Sequence, residues 1–253
     1  MNLPRWSERA LRQTIVKVCT ALFQKNLVAA TDGNVSARVG PDRVLITPSG
    51  VSKGDVGDLD IILCDLDGRK IRGRAAISSE LHVHLAAYRE REDIGGVVHA
   101  HPPLATAFTF AGLGHLLSEP VVPEVTAQIG PIPAAPYLTP GSRQLAEAAG
   151  ALLKKSDVVL LTRHGAVTVG KDPWAAYLRM EKLEYLATIL KSGLELHGGR
   201  DQIARLDRAE TVELLASYGK KPAQPETGAE NDSALVETIV QEVLRTLKKD
   251  GAN

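Results

Sequence analysis

Residues 95–104 read GGVVHAHPPL, and the two histidines that end this apolar run decide how the chain is interpreted. His99 and His101 are two positions apart, and residues at this spacing on a β-strand point to the same side, so both imidazoles can reach one ion. Taken alone, the pair is weak evidence, because two ordinary histidines on a strand have the same spacing. The rest of the chain must supply further ligands before a metal site is favoured.

The composition is that of an ordinary globular protein. Of 253 residues 44% are apolar, and 30 basic side chains balance 30 acidic ones, which gives no indication of nucleic acid or an acidic membrane as partner. No apolar run approaches the roughly 18 residues of a membrane span, and the start MNLPRWSERALRQ lacks the apolar segment of a secretory signal. Cys19 and Cys64 fit no disulfide or zinc-ribbon spacing, so we expect a reduced, cytoplasmic protein with both as core residues.

The apolar pattern predicts a layered α/β domain over residues 1–218, since strands alternate with helices. Turn sequences such as Gly-Pro-Asp and Asp-Gly separate the strands. Helices are predicted over residues 7–25, 78–94, 103–112, 143–155 and 172–193. Strands are predicted as a pair within 31–50, singly within 58–68 and 95–101, and as a hairpin within 156–170.

The remaining residues have a different character. Residues 219–233 are polar, with Pro and Gly, and are typical of a flexible linker. Residues 234–249 predict a short amphipathic helix. Such a helix is marginal alone, so we expect its apolar face to dock onto a partner. That face comprises Leu235, Val236, Ile239, Val240, Val243, Leu244 and Leu247.

Two further residues could complete a metal site with the histidine pair. His164, in LLTRHGAV, also follows an apolar strand, and Glu80, in SSEL, stands at a helix start where a carboxylate is favoured. Neutral imidazoles with a carboxylate suit a zinc-like ion. Spacing does not choose among the histidines, because His84 lies four residues after Glu80 on the same helix and could form a pair with it. His115 and His197 lie in loop-like stretches and are most simply surface residues.

Three short loops have the composition of an anion site. Gly33-Asn34 and Ser49-Gly50 follow apolar segments, and Ser78-Ser79 stand at a helix start. Backbone N–H groups and short hydroxyls in such loops can hold a phosphate dianion. The simpler interpretation is that these are only turns and helix caps, and from the residues alone that interpretation is favoured.

Several motifs in fixed order resemble the class II aldolase/adducin family, especially its fuculose-phosphate aldolases. The resemblance covers roughly residues 8–218 and rests on TDGNVSAR, ITPSG, SSE, HAHPP, APYLTPGSRQLAE and TRHGAV. The resemblance implies an α/β fold with a central, mainly antiparallel β-sheet flanked by helices. It also implies one Zn²⁺ per subunit, with Mn²⁺ or Co²⁺ as alternatives, bound by His99, His101, His164 and Glu80, and it assigns His84 to packing.

The resemblance further implies a reaction. A ketose 1-phosphate of the L-fuculose or L-rhamnulose type would be cleaved to dihydroxyacetone phosphate and an aldehyde such as L-lactaldehyde. Glu80 would leave the metal and protonate the enediolate carbon, while the metal acts as a Lewis acid. With the family match, phosphate binding is favoured at Thr31, Gly33, Asn34, Ser49, Gly50, Ser78 and Ser79.

A second proton-transfer group is less clear from the resemblance. The fuculose-phosphate aldolases form homotetramers in which a C-terminal Tyr-Gly segment reaches a neighbouring subunit's site, and Tyr218 in SYGKK matches it. A packing role for Tyr218 is an equal alternative. A second family tyrosine is missing, and Glu124 in Val-Pro-Glu stands in that segment, as a glutamate does in the methylthioribulose-phosphate dehydratases. Tyr137, in APYLTPG, is interpreted as structural.

Other functions of the family remain open from sequence. They are a 5-deoxyribulose 1-phosphate aldolase, a methylthioribulose 1-phosphate dehydratase, a sugar-acid phosphate decarboxylase and a non-catalytic adducin-like scaffold. Glu80 disfavours the dehydratase branch and also a ribulose-phosphate epimerase, which has aspartate there. A scaffold is disfavoured because all four ligands are present.

The C-terminal segment resembles the encapsulation peptides that direct enzymes into bacterial microcompartments through shell or cargo proteins. Confinement there would suit an enzyme that releases lactaldehyde, a reactive aldehyde. The alternative is a helix that completes the oligomer or folds back on its own domain.

Overall fold

Residues 6–220, the part of the chain that this computed structural model describes, contain one eight-stranded β-sheet. The strands are β1 Asn34–Val39, β2 Arg43–Ile46, β3 Ile62–Asp65, β4 Lys70–Arg72, β5 Gly96–Ala100, β6 Ala134–Ala135, β7 Val158–Leu161 and β8 Gly165–Gly170. Their order across the sheet is β4-β3-β2-β1-β5-β8-β7-β6. All neighbouring strands are antiparallel except β6 and β7, which are parallel. The predicted fold class is therefore confirmed.

The helices begin where the local sequence supplies a cap. Ser7, Ser142 and Asp172 each accept a hydrogen bond from a backbone N–H of the first turn, and Asp207 forms a capping box with Glu210. The helices are α1 Glu8–Gln24, α2 Leu81–Glu90, α3 Pro103–Phe110, α4 Pro123–Ile129, α5 Arg143–Leu153, α6 Pro173–Leu196 and α7 Arg208–Ser217, with a 3-10 helix at Gly114–Ser118. The helices at residues 123–129 and 208–217 were not predicted from the sequence.

Two apolar cores lie on opposite faces of the sheet. Side chains alternate along each strand, so Val98 contributes to one core and its neighbour Val97 to the other. Helices α1, α3 and α6 cover the first face, and α2 and α5 cover the second. Cys19 and Cys64 are buried free thiols, one in each core, as expected.

The central strands β1 and β5 position the polar residues Asn34, Ser36 and His99. On β1 and β5, Asn34 pairs with His99 and Ser36 with Val97, so the side chains of Asn34, Ser36 and His99 lie on the face covered by α2. His101 differs from the sequence prediction, because β5 ends at Ala100. Its backbone N–H instead donates to the carbonyl of Leu27, 2.9 Å away.

The predicted boundaries at residues 218, 233 and 249 stay predictions. The amphipathic segment 234–249 and nearly all of the predicted linker lie outside the described residues. Among residues 6–220, no helix combines the length and the apolar character needed to cross a membrane.

Candidate metal centre

One group of acidic and histidine side chains in the described residues could hold a metal ion. It consists of Glu80, His99, His101 and His164, and one ligand atom from each lies within 4.8 Å of all the others. Glu80 precedes α2, His99 lies on β5, His101 follows β5, and His164 lies in the turn between β7 and β8. The structure thus brings together the four residues that the family resemblance implied, while His84 stays outside the group.

The imidazoles turn their Nε2 atoms towards one another. His99 Nε2 lies 3.0 Å from Glu80 Oε2, His164 Nε2 lies 3.1 Å from Glu80 Oε1, and His101 Nε2 lies 3.2 Å from His99 Nε2. Two of the rings also have a polar contact at their other nitrogen, Nδ1. His99 Nδ1 donates to the Ala166 carbonyl at 2.9 Å, and His101 Nδ1 lies 3.4 Å from Asp32 Oδ2.

This arrangement fits a bound cation. A carbonyl oxygen only accepts, so His99 Nδ1 carries a hydrogen, and Nε2 faces Glu80 either with a proton of its own or with a lone pair that a cation can bind. Lone pairs on imidazole and carboxylate repel at 3.0 Å unless a positive charge lies between them. Three imidazole nitrogens and a carboxylate are the ligand types that zinc-like ions prefer, and the contact from His99 to a carbonyl is typical support for such a ligand.

The pKa shifts of Glu80 and His99 also indicate that the cluster favours a positive charge beside the carboxylate. Burial opposes ionisation of Glu80, but His99 and His164 outweigh it and hold the pKa of this carboxyl well below its usual range. Burial likewise opposes protonation of His99, yet Glu80 raises the pKa of His99. Burial, together with His99 and His164, lowers the pKa of His101 to about 4. The cluster therefore keeps one carboxylate ionised and His101 neutral at neutral pH, as metal binding requires.

Two of the predicted phosphate residues, Asn34 and Ser78, lie beside this cluster. Asn34 Nδ2 lies 3.2 Å from Glu80 Oε2 and 3.1 Å from Ser78 Oγ. The Ser49 loop reaches the same region, since the Ser49 N–H donates to the Ala76 carbonyl, two residues before Ser78. Thr31, Ser49, Gly50 and Ser79 are exposed, whereas Gly33 and Asn34 are buried. Asn34 and Ser78 therefore lie next to the candidate metal centre, and phosphate binding by the seven residues stays a prediction.

Lys53 connects two of these loops and was missed in the sequence analysis. Its side chain is 1% exposed, and Nζ donates to the carbonyls of Thr31 at 2.9 Å and Val51 at 2.8 Å. Burial lowers the pKa of this ammonium group. A lysine in the polar sequence VSKGD carries no signal of burial, so only the folded structure reveals this connection.

Within a single chain, Glu124 and Tyr218 are not part of the cluster. Glu124 is exposed in the first turn of α4, and Tyr218, 45% exposed, follows α7. Helices α4 and α7 pack against each other, so both residues lie in the same region of the molecule. Their predicted catalytic roles stay predictions. Tyr137 is 58% exposed, which does not support a role in core packing.

An α/β fold with a glutamate–histidine cluster at its centre defines a class of candidate metal enzymes. Within that class, residues 13–190 match the family model described as Class II Aldolase and Adducin N-terminal domain. The chain belongs to the class II aldolase/adducin family.

Curated relatives within this family carry several activities. An L-fuculose phosphate aldolase of Methanococcus maripaludis is 36% identical over 174 residues, which cover 69% of this chain and 92% of the relative. A 5-deoxy-D-ribulose 1-phosphate aldolase of Bacillus thuringiensis is 37% identical over 180 residues, which cover 70% of this chain and 83% of the relative. A 3-oxo-tetronate 4-phosphate decarboxylase of Pectobacterium atrosepticum is 31% identical over 186 residues, which cover 73% of this chain and 85% of the relative.

Solved structures agree with the fold. An L-fuculose 1-phosphate aldolase superimposes with a TM-score of 0.73 at 26% identity, and the match covers 85% of this chain and 99% of that one. The eight-stranded sheet and its flanking helices are therefore those of a class II aldolase.

Proposed function

We propose that this chain is a metal-dependent aldolase that cleaves a ketose 1-phosphate of the L-fuculose or L-rhamnulose type. The products would be dihydroxyacetone phosphate and an aldehyde such as L-lactaldehyde. The observation that carries the proposal is the convergence of Glu80 and three imidazoles beside Asn34 and Ser78. A metal site and an anion site then lie next to each other, as the carbonyl and the phosphate of one small substrate require.

The residues of the cluster fit Zn²⁺, with Mn²⁺ or Co²⁺ as alternatives. A divalent ion held by His99, His101, His164 and Glu80 would supply Lewis acidity for the negative charge that develops on the substrate oxygen. Glu80 is the proposed acid/base, which moves a proton at the carbon next to the carbonyl. Its carboxylate is held by Asn34 on one side, at 3.2 Å, and lies within 3.1 Å of two imidazole nitrogens.

The phosphate group is proposed to bind where the three loops meet. Gly33 and Gly50 have φ angles of 74° and 72°, which allow the backbone to turn tightly around an anion. Short hydroxyls and the amide of Asn34 would complete the shell. The proposed phosphate ligands are Thr31, Gly33, Asn34, Ser49, Gly50, Ser78 and Ser79.

Glu124 and Tyr218 are proposed to serve the site of a neighbouring subunit in a homotetramer. Both lie apart from the cluster of their own chain, and α4 and α7 pack together, so one subunit could present both groups to its neighbour. One of them would take the proton of the C4 hydroxyl as the aldehyde forms.

A decarboxylase is the second candidate, because a relative 31% identical to this chain is a 3-oxo-tetronate 4-phosphate decarboxylase. Both reactions break a C–C bond next to a carbonyl and leave an enediolate. The observation that favours the aldolase is the identity of 36% and 37% to two aldolases. A 5-deoxyribulose-phosphate aldolase is a variant of the same proposal, whereas a methylthioribulose-phosphate dehydratase and an adducin-like scaffold are disfavoured by Glu80 and the complete cluster.

A substrate panel tests the proposal. Purified protein is incubated with the 1-phosphates of L-fuculose, L-rhamnulose, ribulose and 5-deoxyribulose and with 3-oxo-tetronate 4-phosphate, with and without a chelator. We expect dihydroxyacetone phosphate from at least one ketose 1-phosphate, with loss of the activity in chelator and recovery with Zn²⁺. Release of CO₂ from the oxo-acid alone would establish the decarboxylase instead.

We also propose that residues 234–249 direct the enzyme to a microcompartment shell or cargo protein. The support is the apolar stripe of the segment, which follows a polar linker. Removal of residues 221–253 should leave cleavage activity intact and change a punctate distribution of the fluorescently tagged protein in its host to a diffuse one. A distribution unchanged by the truncation, or loss of activity, would contradict an address function.

A further inference from the structure

Behind Glu80, four side chains form a continuous buried chain of hydrogen bonds. Tyr88 Oη lies 2.8 Å from Ser36 Oγ, and Ser36 Oγ lies 2.6 Å from His84 Nδ1. His84 Nε2 lies 2.6 Å from Asn34 Oδ1, and Asn34 Nδ2 lies 3.2 Å from Glu80 Oε2. His84 and Tyr88 come from α2, while Asn34 and Ser36 come from β1, so the chain joins the helix to the sheet.

The carboxylate fixes the direction of every hydrogen bond in this chain. An ionised carboxylate only accepts, so the amide group of Asn34 that faces Glu80 must be the NH₂ group. Asn34 then presents Oδ1 to His84, which must donate from Nε2. The other ring nitrogen, Nδ1, must accept from the Ser36 hydroxyl. Because Ser36 has one hydroxyl proton, Tyr88 must donate to Ser36.

The surroundings of His84 agree with this direction. The side chains of His84 and Ser36 are fully buried, and Tyr88 is 2% exposed, so no bulk water can replace a lost partner. Burial lowers the pKa of His84 to about 3, so the ring is neutral and holds a single N–H. In the other tautomer, the Nε2 lone pair would face Asn34 Oδ1 at 2.6 Å, which is repulsive.

We propose that Tyr88, Ser36 and His84 are positioning residues that hold the Asn34 amide in one orientation and thereby hold Glu80 for proton transfer. The packing role assigned to His84 from sequence is thus extended to a polar role. The inference rests on the proposed function in one respect only, the role of Glu80 as the group that transfers a proton. The second hydrogen of the same NH₂ group is directed to Ser78 Oγ, 3.1 Å away, so the orientation also affects the proposed phosphate site.

Loss of the donor at His84 should release the amide. With no N–H facing it, Oδ1 of Asn34 is buried without a partner, which costs free energy, and the amide is no longer held from this side. Asn34 can then shift, and its hydrogen bond from Nδ2 to Glu80 Oε2 is weakened or lost. Glu80 would move from its place, whereas His99, His101 and His164 would still hold a metal, because none of them bonds to His84 in the described structure.

Two substitutions of His84 separate this role from simple packing. His84→Phe fills the space without a donor, and we expect kcat to fall by roughly 10- to 100-fold with about one metal per subunit retained. His84→Gln keeps an N–H that can reach Asn34 and should recover much of the lost kcat. Thr168→Val is the matched control, because it removes a different buried hydrogen bond, from Thr168 Oγ1 to the Ala176 carbonyl at 2.8 Å, and should leave kcat unchanged.

The tautomer of His84 can be observed directly in the wild-type protein. Neutron diffraction, or ¹⁵N chemical shifts of the histidine rings assigned with His84→Gln, should show hydrogen on Nε2 and none on Nδ1. Hydrogen on Nδ1 would overturn the proposal, as would equal kcat in His84→Phe and wild type. If the wild-type protein cleaves no ketose 1-phosphate, the proposed function fails, but the tautomer still tests the hydrogen-bond direction independently.

Discussion

Glu80 is the residue on which most of the local contacts converge. Its carboxylate lies within hydrogen-bonding distance of His99, His164 and Asn34, and it is held at the start of α2 by the backbone rather than by a cap from its own side chain. A carboxylate in such a place can both coordinate a metal and exchange a proton. These two roles can be separated by an isosteric substitution.

Glu80→Gln is expected to keep the metal and lose catalysis. The three imidazoles remain as ligands, while the amide cannot exchange a proton, so kcat should fall by roughly 10²- to 10⁴-fold. Metal content by elemental analysis and kcat for the best ketose 1-phosphate are measured together. His82→Gln, an exposed residue on the outer side of the same helix, is the control. A kcat near that of wild type would show that Glu80 is not the acid/base.

At this scale, the sequence predicted the four clustered residues but not their supporting contacts. HAHPP, SSE and TRHGAV are local patterns, and each contains a side chain of the cluster. The contacts of His84 with Asn34 and Ser36 join residues 50 and 48 positions apart and depend on the pairing of β1 with β5 and the placement of α2. No local pattern contains that information, and the same holds for Lys53.

At the scale of elements, Gly33 allows the loop before β1 to pass close to β5. Its φ is 74°, and an added Cβ would lie 2.6 Å from Val28 Cγ1 and 3.0 Å from the carbonyl oxygen of His99. Gly40 has a similar φ of 69°, but an added Cβ there would meet nothing within 4 Å. The two glycines therefore form a matched pair.

Gly40→Ala is expected to cost about 1–2 kcal/mol of unfolding free energy, the usual penalty of a left-handed backbone for alanine. Gly33→Ala adds the collision with Val28 and β5, which we expect to cost a further ~1–3 kcal/mol. Urea unfolding of both variants measures the difference. Equal losses would mean that the backbone can move away from β5 without strain.

Lys53 stabilises the arrangement of the loops around the proposed phosphate site. Lys53→Met fills a similar volume but donates no hydrogen bonds to the Thr31 and Val51 carbonyls. We expect KM for the ketose 1-phosphate to rise by about tenfold, equivalent to roughly 1.4 kcal/mol of binding, with a smaller change in kcat. Inhibition by inorganic phosphate should weaken in parallel.

Lys17→Met is the control for this experiment, because Lys17 is exposed on α1, where its ammonium lies 3.6 Å from the centre of the Trp174 ring. Unchanged KM and unchanged phosphate inhibition in Lys53→Met would show that the loops keep their positions without the buried ammonium.

The elements themselves were well predicted where the apolar pattern was long. Helices α1 and α6, the β7–β8 hairpin and the first strand pair all form where expected. The prediction was wrong in placing His101 on the strand, because β5 ends one residue earlier. Helices α4 and α7 were not foreseen, since α4 has only seven residues and α7 buries none of its residues.

At the scale of the whole molecule, the proposed tetramer gives a prediction of shared sites. Glu80→Gln and Tyr218→Phe chains are each expected to be nearly inactive. When the two are co-expressed, a site that combines Glu80 of one subunit with Tyr218 of its neighbour is complete, and random assembly makes about one quarter of the sites complete. Recovered activity near that fraction is therefore expected.

The control combines two changes at residues that one chain contributes to the same active site. Glu80→Gln co-expressed with Asn34→Ala should recover nothing, because Asn34 and Glu80 lie 3.2 Å apart in the same chain. Failure of Glu80→Gln and Tyr218→Phe to recover more activity than this pair would place Tyr218 outside the active site.

We propose that the cluster of Glu80, His99, His101 and His164 holds the metal on which cleavage depends. Metal content and ketose 1-phosphate cleavage of His99→Ala, compared with the exposed control His115→Ala, test this proposal. We predict that His99→Ala loses both its metal and its activity, while His115→Ala retains about one metal per subunit and normal cleavage. A His99→Ala protein that keeps its metal, or cleaves at the normal rate, would contradict this assignment of the metal ligands.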